Sequence, residues 1–471
     1  MSAGNSAGNK EKIILRKEAP HAAYNARGGA FLMGRIVIAG GGWAGCAAAI
    51  RAKKLGHDVT LIEKTDLLLG LGNVGGIMRN NGRFTAAEEN IAMGAGELFE
   101  ITDRLSTHRN VDFPGHSHAS FYNVQRVEPE VRRLLEGLGV KIRFMCRAVD
   151  VVLGGAAAEP GCRRLSALRV ITYDGHGGYT EEIIEGDAFV ETTGSTGPMG
   201  NCMKYGNGCS MCVLRCPAFG PRVSLSEKAG NPDLCGQRPD GRPGAFSGSC
   251  KLEKETLSAQ LRNRLERDGF AVLPLPAHLV NHGKLSQKVC QQYALPEFAE
   301  NIILIDTGHA KLMTSYFNLE QLRTVEGLEN ARFADPYAGG KGNSVRYMSV
   351  GERDQYMRAA GIENLFLGGE KSGFFVGHTE AITTGSLAGY NAARMASGKE
   401  LLTLPETLVC GDLLHYSDSR RMEPDGLSAR FTFAGGEYFK RMQELDLYTT
   451  DVEAIRKRVE NAGMLDIYNR L

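Results

Sequence analysis

Apolar residues along this chain fall into short continuous runs and into segments of helical period, separated by glycine-rich turns. Ile36, Val37 and Ile38 make one such run, the pattern of a strand buried on both faces, and an alanine-rich stretch with the length of a helix follows it. A second strand pattern, DVTLIEK, ends at Glu63 and Lys64. Further on, EPEVRRLLEGLGVKIRFMCRAVDVVL reads as a helix and then a strand, and LSALRVITYDG and TEEIIEG continue as alternating strands of a meander. Phe189 and Val190 begin another apolar strand, Leu365 to Leu367 a last one, and a long helix starts near His378. Helical patterns such as ETLSAQLRNRLERDG alternate with loops between about 200 and 333, and the C-terminal seventy residues are mainly helical. No internal repeat or heptad run interrupts this order. The pattern predicts an α/β fold of the two-dinucleotide-binding type, with a flexible tail over 1–33, a first part over 34–200, an inserted α+β domain over 201–333, a closing part over 334–400 and a helical segment over 401–471.

The turn after the first strand carries the most specific chemistry. Gly40, Gly42 and Gly45 stand at G-x-G-x-x-G spacing between strand and helix, and Glu63 lies eighteen residues beyond Gly45. In that context Gly40 permits the tight turn, Gly42 lets backbone approach a pyrophosphate, and Gly45, next to Ala44, allows close helix–strand packing. The helix N-terminus supplies amide donors, and Glu63 is placed to accept from a ribose diol. A second glycine-rich loop, LGLGNVGGIMRNNGRF with Gly75 and Gly76, follows the Glu63 strand. EGDAFVETTGSTG runs a strand into Thr193 and Gly194, and ENLFLGGEKSGFFVGHTEA turns at Gly369 and Glu370 before the last long helix. A simple NAD dehydrogenase has no need of that closing element, so the set favours FAD.

Composition narrows the classes. The chain has 471 residues, 42% hydrophobic and 23% charged, and Lys plus Arg exceed Asp plus Glu by one. Nothing in this balance is the footprint of a dedicated nucleic-acid binder. No apolar run of membrane-spanning length and no secretory pattern is present, which predicts a cytoplasmic protein with no membrane partner. In such a compartment eleven cysteines point to metal or redox chemistry rather than to a disulfide framework, although seven of them suit an ordinary core.

GGGWAGCAAA resembles the opening of the GidA-type flavoproteins, and LFLGGEKSGFFVGHTEAITTGSLAGYNAAR resembles their closing segment. The overall length and LPETLVCGDLLHYSDSRRMEPDGLSARF are similar to the shorter branch, the folate- and FAD-dependent tRNA (uracil-5-)-methyltransferases. The resemblance implies bound FAD and brings tRNA into view as a partner. It also implies a reactive cysteine in the loop after the second strand, where this chain instead has Gly72, Asn73, Val74, Gly75 and Gly76. A second family cysteine, preceding a proline, has its counterpart in Cys216-Pro217. Losing one of two thiols argues against the methylating activity and leaves flavin redox chemistry intact.

Cys202, Cys209, Cys212 and Cys216 lie within fifteen residues, in NCMKYGNGCSMCVLRCPAFGPR. The last three and Pro217 have the C-x2-C-x3-C-P spacing of an iron–sulfur run, whereas Cys202 stands farther off than such a run places its fourth thiol. A [4Fe-4S] cluster, a zinc site, redox thiols near the flavin and a buried helical stripe all fit the spacing. Cys235 and Cys250, flanking the loop GQRPDGRPGAFSGS, are alternative ligands, and Arg238, Arg242, Lys251 and Lys254 make that loop a candidate cover or phosphate contact. His378 could donate a proton near the flavin or cap its helix; His116 and His118 suit a strand face, a loop or a metal. Arg79 and Arg83 could face a flavin phosphate, an anionic substrate or solvent. The expected activity is a FAD-dependent oxidoreductase acting on a small molecule or a protein electron carrier. Cys212, Cys216 and His378 are its candidate catalytic groups, and NAD(P)H is a candidate reductant. The alternative is a tRNA-uridine-modifying enzyme.

Overall fold

The protein is seen in a computed structural model, which describes residues 22–24, 30–195, 219–246, 249–288, 290–314, 317–334, 345–346 and 348–471. Its centre is a parallel five-stranded sheet built from β1 (Arg35–Ala39), β2 (Asp58–Ile62), β3 (Lys141–Arg143), β4 (Ala188–Glu191) and β5 (Leu365–Leu367), in the order β5-β4-β1-β2-β3. Alternate residues of these strands enter two different cores. Ile36, Ile38, Leu61, Val190 and Phe366 face one, and Val37, Ala39, Ile62, Phe189 and Leu367 face the other. Burial on both sides explains why the strands read as unbroken apolar runs.

Two helices cover the first face: α1 (Trp43–Lys54) and α3 (His378–Ala396), with α2 (Gly82–Ala92) beside them. A Cβ on Gly385 would come within 2.3 Å of the Ala44 carbonyl oxygen, and one on Gly389 within 2.4 Å of the Ala48 Cα. The absence of side chains at these two positions, one helical turn apart, lets α1 and α3 touch backbone to backbone. On the second face lies the predicted meander, the antiparallel strands Cys146–Leu153, Leu165–Tyr173 and Tyr179–Glu185.

The inserted part holds a four-stranded antiparallel sheet of Cys250–Leu252, Ala310–Leu312, Asn301–Asp306 and Phe270–Pro274. Beside it stands a three-stranded sheet formed by Ile77–Met78, Ser106–Phe113 and His116–Tyr122. Phe113 and Phe121 share one core with Phe298, Ile303 and Ile305, so this core, separate from those on the two faces of the central sheet, draws on both sides of residue 200. The helices Val409–Arg421, Gly436–Glu444 and Val452–Asn461 return to the first core through Leu413, Tyr438, Met442 and Val459. Ahead of β1, Ala22–Tyr24 pairs antiparallel with Ala30–Leu32. The α/β class, the inserted α+β part and the helical C-terminal region are those the sequence predicts. Among the described residues, no helix is long and apolar enough to cross a membrane.

Candidate functional site

The glycine motif is shaped by close backbone approaches. Gly40 has φ +104°, and a Cβ there would meet the Thr192 carbonyl oxygen at 2.5 Å. A Cβ on Gly45 would fall 1.8 Å from the Gly40 carbonyl oxygen, so Gly45 is required by the fold itself. Gly42 differs: a Cβ there meets nothing within 4 Å and would project into open space. That space is a cavity of about 360 Å³. At the end of β2, Glu63 lines it and accepts from the Gly41 amide at 2.8 Å and the Thr65 amide at 2.9 Å. From the end of β4 come Thr193 and Gly194, the latter with φ +79° and again nothing within 4 Å of its missing Cβ. From the turn after β5 come Gly369 and Glu370, the Glu370 carboxylate accepting from Ser195 Oγ at 2.8 Å.

Three segments far apart in sequence therefore meet at one cavity, as a dinucleotide site of this fold requires. Gly40, Gly42, Ala44, Glu63, Lys64, Gly75, Thr193, Gly194, Gly369 and Glu370 all line it. Gly45 and Gly76 stand behind the lining: Gly45 packs on Gly40, and a Cβ on Gly76 would press on Thr307 at 2.4 Å. His378, first residue of α3, also lines the cavity. Its ring sits 6.0 Å from that of Trp43 and 6.1 Å from that of Tyr122, over the bare face of Gly75. The N-cap position of α3 is Gly377, and His378 follows it as a wall residue of the cavity.

Other expectations are corrected by geometry. Arg79 is buried and paired with Glu88 and Asp103, and Arg83 is buried against Glu380 at 3.0 Å. Neither arginine is solvated, and both spend their charge on carboxylates of the fold, although Arg83 still borders the cavity. His116 is buried, accepts a hydrogen bond at Nδ1 from the Asn80 side-chain amide at 3.0 Å, and stacks on Phe113, while burial pushes its imidazole down to about 3. His118 instead contacts Asn110. Cys250 is buried in a core of the inserted part, where burial raises its thiol to about 12. Cys46, Cys146 and Cys410 are likewise buried. Cys202, Cys209, Cys212 and Cys216 lie outside the described residues. Among the described residues no group of three or more His, Cys, Asp or Glu side chains is arranged to hold a metal ion.

The cavity also gathers residues that the sequence did not single out. Lys288, Cys290 and Gln292, at alternate positions, line it together with Lys311. Lys311 donates to the Gly75 carbonyl, Lys251 to the Asn73 carbonyl at 2.7 Å, and Lys288 to the Tyr293 carbonyl at 3.0 Å. The inserted part is thereby fastened to the Gly72–Gly75 turn. Burial lowers the Lys311 ammonium to about 7, with repulsion from Lys251 and Arg83 adding to it, and burial lowers Lys288 to about 8. The only local signal was the alternation of lysine, thiol and amide in KVCQQ.

Elsewhere a buried network holds the turn after β5 in place. Lys371 reaches Asp233 and donates to Ser224 Oγ at 2.8 Å, and Arg222 pairs with Asp233 at 3.0 Å. Burial works to raise the Asp233 carboxyl, but Lys371 and Arg222 outweigh it and hold the group below its ordinary range.

Comparison with known proteins agrees with this geometry. The solved GidA of Aquifex aeolicus has the same fold, with a TM-score of 0.58 over 91% of this chain and 76% of that one at 16% identity. The methylenetetrahydrofolate–tRNA-(uracil-5-)-methyltransferases TrmFO of Streptococcus sanguinis and Streptococcus uberis are 39% and 35% identical over 113 residues. Those matches span only 21% of this chain and 22% of each relative. The model of the family described as glucose inhibited division protein A matches residues 35–316 and 303–400. With most of its length so matched, the chain belongs to the glucose inhibited division protein A family.

Proposed function

We propose that the protein is a FAD-dependent oxidoreductase whose substrate enters the part of the cavity walled by Cys290, Lys288, Lys311 and His378. The observation that carries this reading is the convergence of the Gly40–Gly42 turn, the Thr193–Gly194 strand end and the Gly369–Glu370 turn on one cavity. The residues present fit the cofactor. Gly42 and Gly194 leave open space where any side chain would intrude, the α1 N-terminus offers amides to a pyrophosphate, and Glu63 offers a carboxylate to a ribose. Bound there, FAD supplies hydride and electron transfer. Trp43 and Tyr122 pack against the His378 ring and fix it at the cavity wall. Cys290 presents a thiol among cationic neighbours, close enough to couple electrostatically with Lys288, Lys311 and Arg83. It is the described cysteine best placed for thiol chemistry, and a role for Cys212 or Cys216, as cluster ligands or thiols, remains part of the proposal.

A second reading, modification of a tRNA uridine, is favoured by the activity for which the streptococcal relatives are named. One preparation separates the two. The anaerobic visible spectrum, with iron and sulfide analysis, is recorded before and after NADH or NADPH, and the protein is then incubated with tRNA and a folate donor. The main reading expects flavin bands, reduction by a donor and turnover without tRNA that is lost in Cys290→Ser. Flavin that no donor reduces, or turnover only with tRNA, would overturn it.

A further inference from the structure

The inserted part brings two ammonium groups, Lys288 and Lys311, to the cavity wall. Lys311 is 6% exposed and Lys288 8% exposed. Among the described residues neither makes an ion pair; each donates to a backbone carbonyl. The charged and titratable groups facing them are Lys251 and Arg83 beside Lys311, Lys284 beside Lys288, and Cys290 beside both. Arg83 is already neutralised by Glu380, Tyr293 supplies the carbonyl for Lys288, and His378 lies across Gly75 from Lys311. Between the lysines in sequence, Gln292 is 5% exposed, and its Oε1 is buried without a hydrogen-bond partner. A buried ammonium and a buried carboxamide each carry a desolvation cost that a partner must offset.

We infer that Lys288 and Lys311, with Gln292 beside them, form a subsite for the terminal carboxylate or phosphate of a small-molecule substrate. The inference rests on the proposed flavin site for the reaction but not for the binding. Burial favours a small molecule, because a group reaching these lysines must itself leave the solvent. The unpartnered Gln292 Oε1 is an acceptor, so the carboxamide serves an anion only with its NH2 turned toward it. An arriving anion favours the charged amines, so binding draws protons onto them and tightens as pH falls.

The test uses the full chain loaded with FAD. Succinate and, separately, inorganic phosphate are titrated at pH 6.5 and 8.5. The readouts are the fluorescence of Trp43, the single tryptophan and a wall residue of the cavity, and the proton uptake measured calorimetrically in two buffers. One of the two anions is expected to bind saturably, about tenfold tighter at the lower pH, the factor that one unit of pKa shift carries. Lys311→Met and Lys288→Met each weaken it about tenfold on the same basis, and Lys288→Arg restores it. Which anion binds identifies the group. Absence of saturable binding by either anion, or affinity unchanged in both methionine variants, would overturn the inference, as would variants that alter only the flavin spectrum. If the protein takes up no FAD, the proposed function fails, while the same titration of the protein as purified still decides the subsite.

Discussion

Removing one partner of the Arg83–Glu380 pair is expected to be among the most damaging single changes in this protein. Glu380 is fully buried on α3, and its carboxylate accepts from Arg83 Nε at 3.0 Å, Thr432 Oγ1 at 2.7 Å and the Phe433 amide at 2.8 Å. Arg83 on α2 also donates to Asn80 at 3.1 Å and to the Val376 carbonyl at 2.9 Å. One ion pair thus joins α2, the start of α3 and the C-terminal region beside the cavity. Glu380→Gln keeps the shape but leaves a guanidinium that is only 3% exposed without its counter-charge, a change worth about 3–5 kcal/mol. Arg83→Met leaves the carboxylate stranded instead, at a similar cost of about 3–5 kcal/mol. The double variant removes both charges and should be more stable than the sum of the two losses predicts, by about 2–3 kcal/mol. Urea unfolding followed at Trp43 and at the far-ultraviolet helix signal gives the cycle, provided that both probes report one transition. Single losses below about 1 kcal/mol, or a cycle additive to within about 0.5 kcal/mol, would refute the claim that this pair fastens three elements together.

Gly389→Ala places a methyl 2.4 Å from the Ala48 backbone, so α1 and α3 must part. A loss of about 1–3 kcal/mol is expected in thermal or urea unfolding, whereas Gly398→Ala, whose Cβ meets nothing but whose φ is positive, should cost less, about 1 kcal/mol. Because Lys371 and Arg222 hold the Asp233 carboxyl below its ordinary range, its stabilising effect is present above the unfolded value near 3.9 and is lost as pH falls through the lower folded value. Asp233→Asn should therefore flatten the stability curve below about pH 4, measured by urea midpoints across that window. Cys290→Ser should retain FAD binding and lose turnover, read by flavin titration beside steady-state rates.

How much was legible in the sequence follows from how local each constraint is. Gly40, Gly42, Gly45 and Glu63 belong to one strand–turn–helix–strand unit, and their roles can be read from thirty contiguous residues. That Thr193, Gly194, Gly369 and Glu370 line the cavity is legible because each pair follows the end of an apolar strand. That Arg79 and Arg83 are buried in ion pairs rather than solvated is not legible locally, because the partner that decides Arg83, Glu380, is 297 residues away. Lys288, Cys290, Gln292 and Lys311 carry no motif. Their proximity to the Gly72–Gly75 turn arises only when the inserted sheet docks, through hydrogen bonds such as that from Lys251 to Asn73. The backbone contacts of Gly385 and Gly389 are hidden for the same reason, since a glycine in a helix looks like a defect until the neighbouring helix is seen.

The central claim is that the cavity beside Gly42 holds the cofactor, and Gly42→Val tests it most directly. The missing Cβ meets nothing, and the backbone at φ −68° and ψ −177° accepts an ordinary residue, so the variant should fold like the parent. Titrating both proteins with FAD, by quenching of flavin fluorescence, should show saturable binding to the parent and binding weaker by at least about a hundredfold in the variant, the loss of roughly 2.7 kcal/mol of contact. Equal FAD binding by a folded Gly42→Val protein, or none by the parent, would contradict the account.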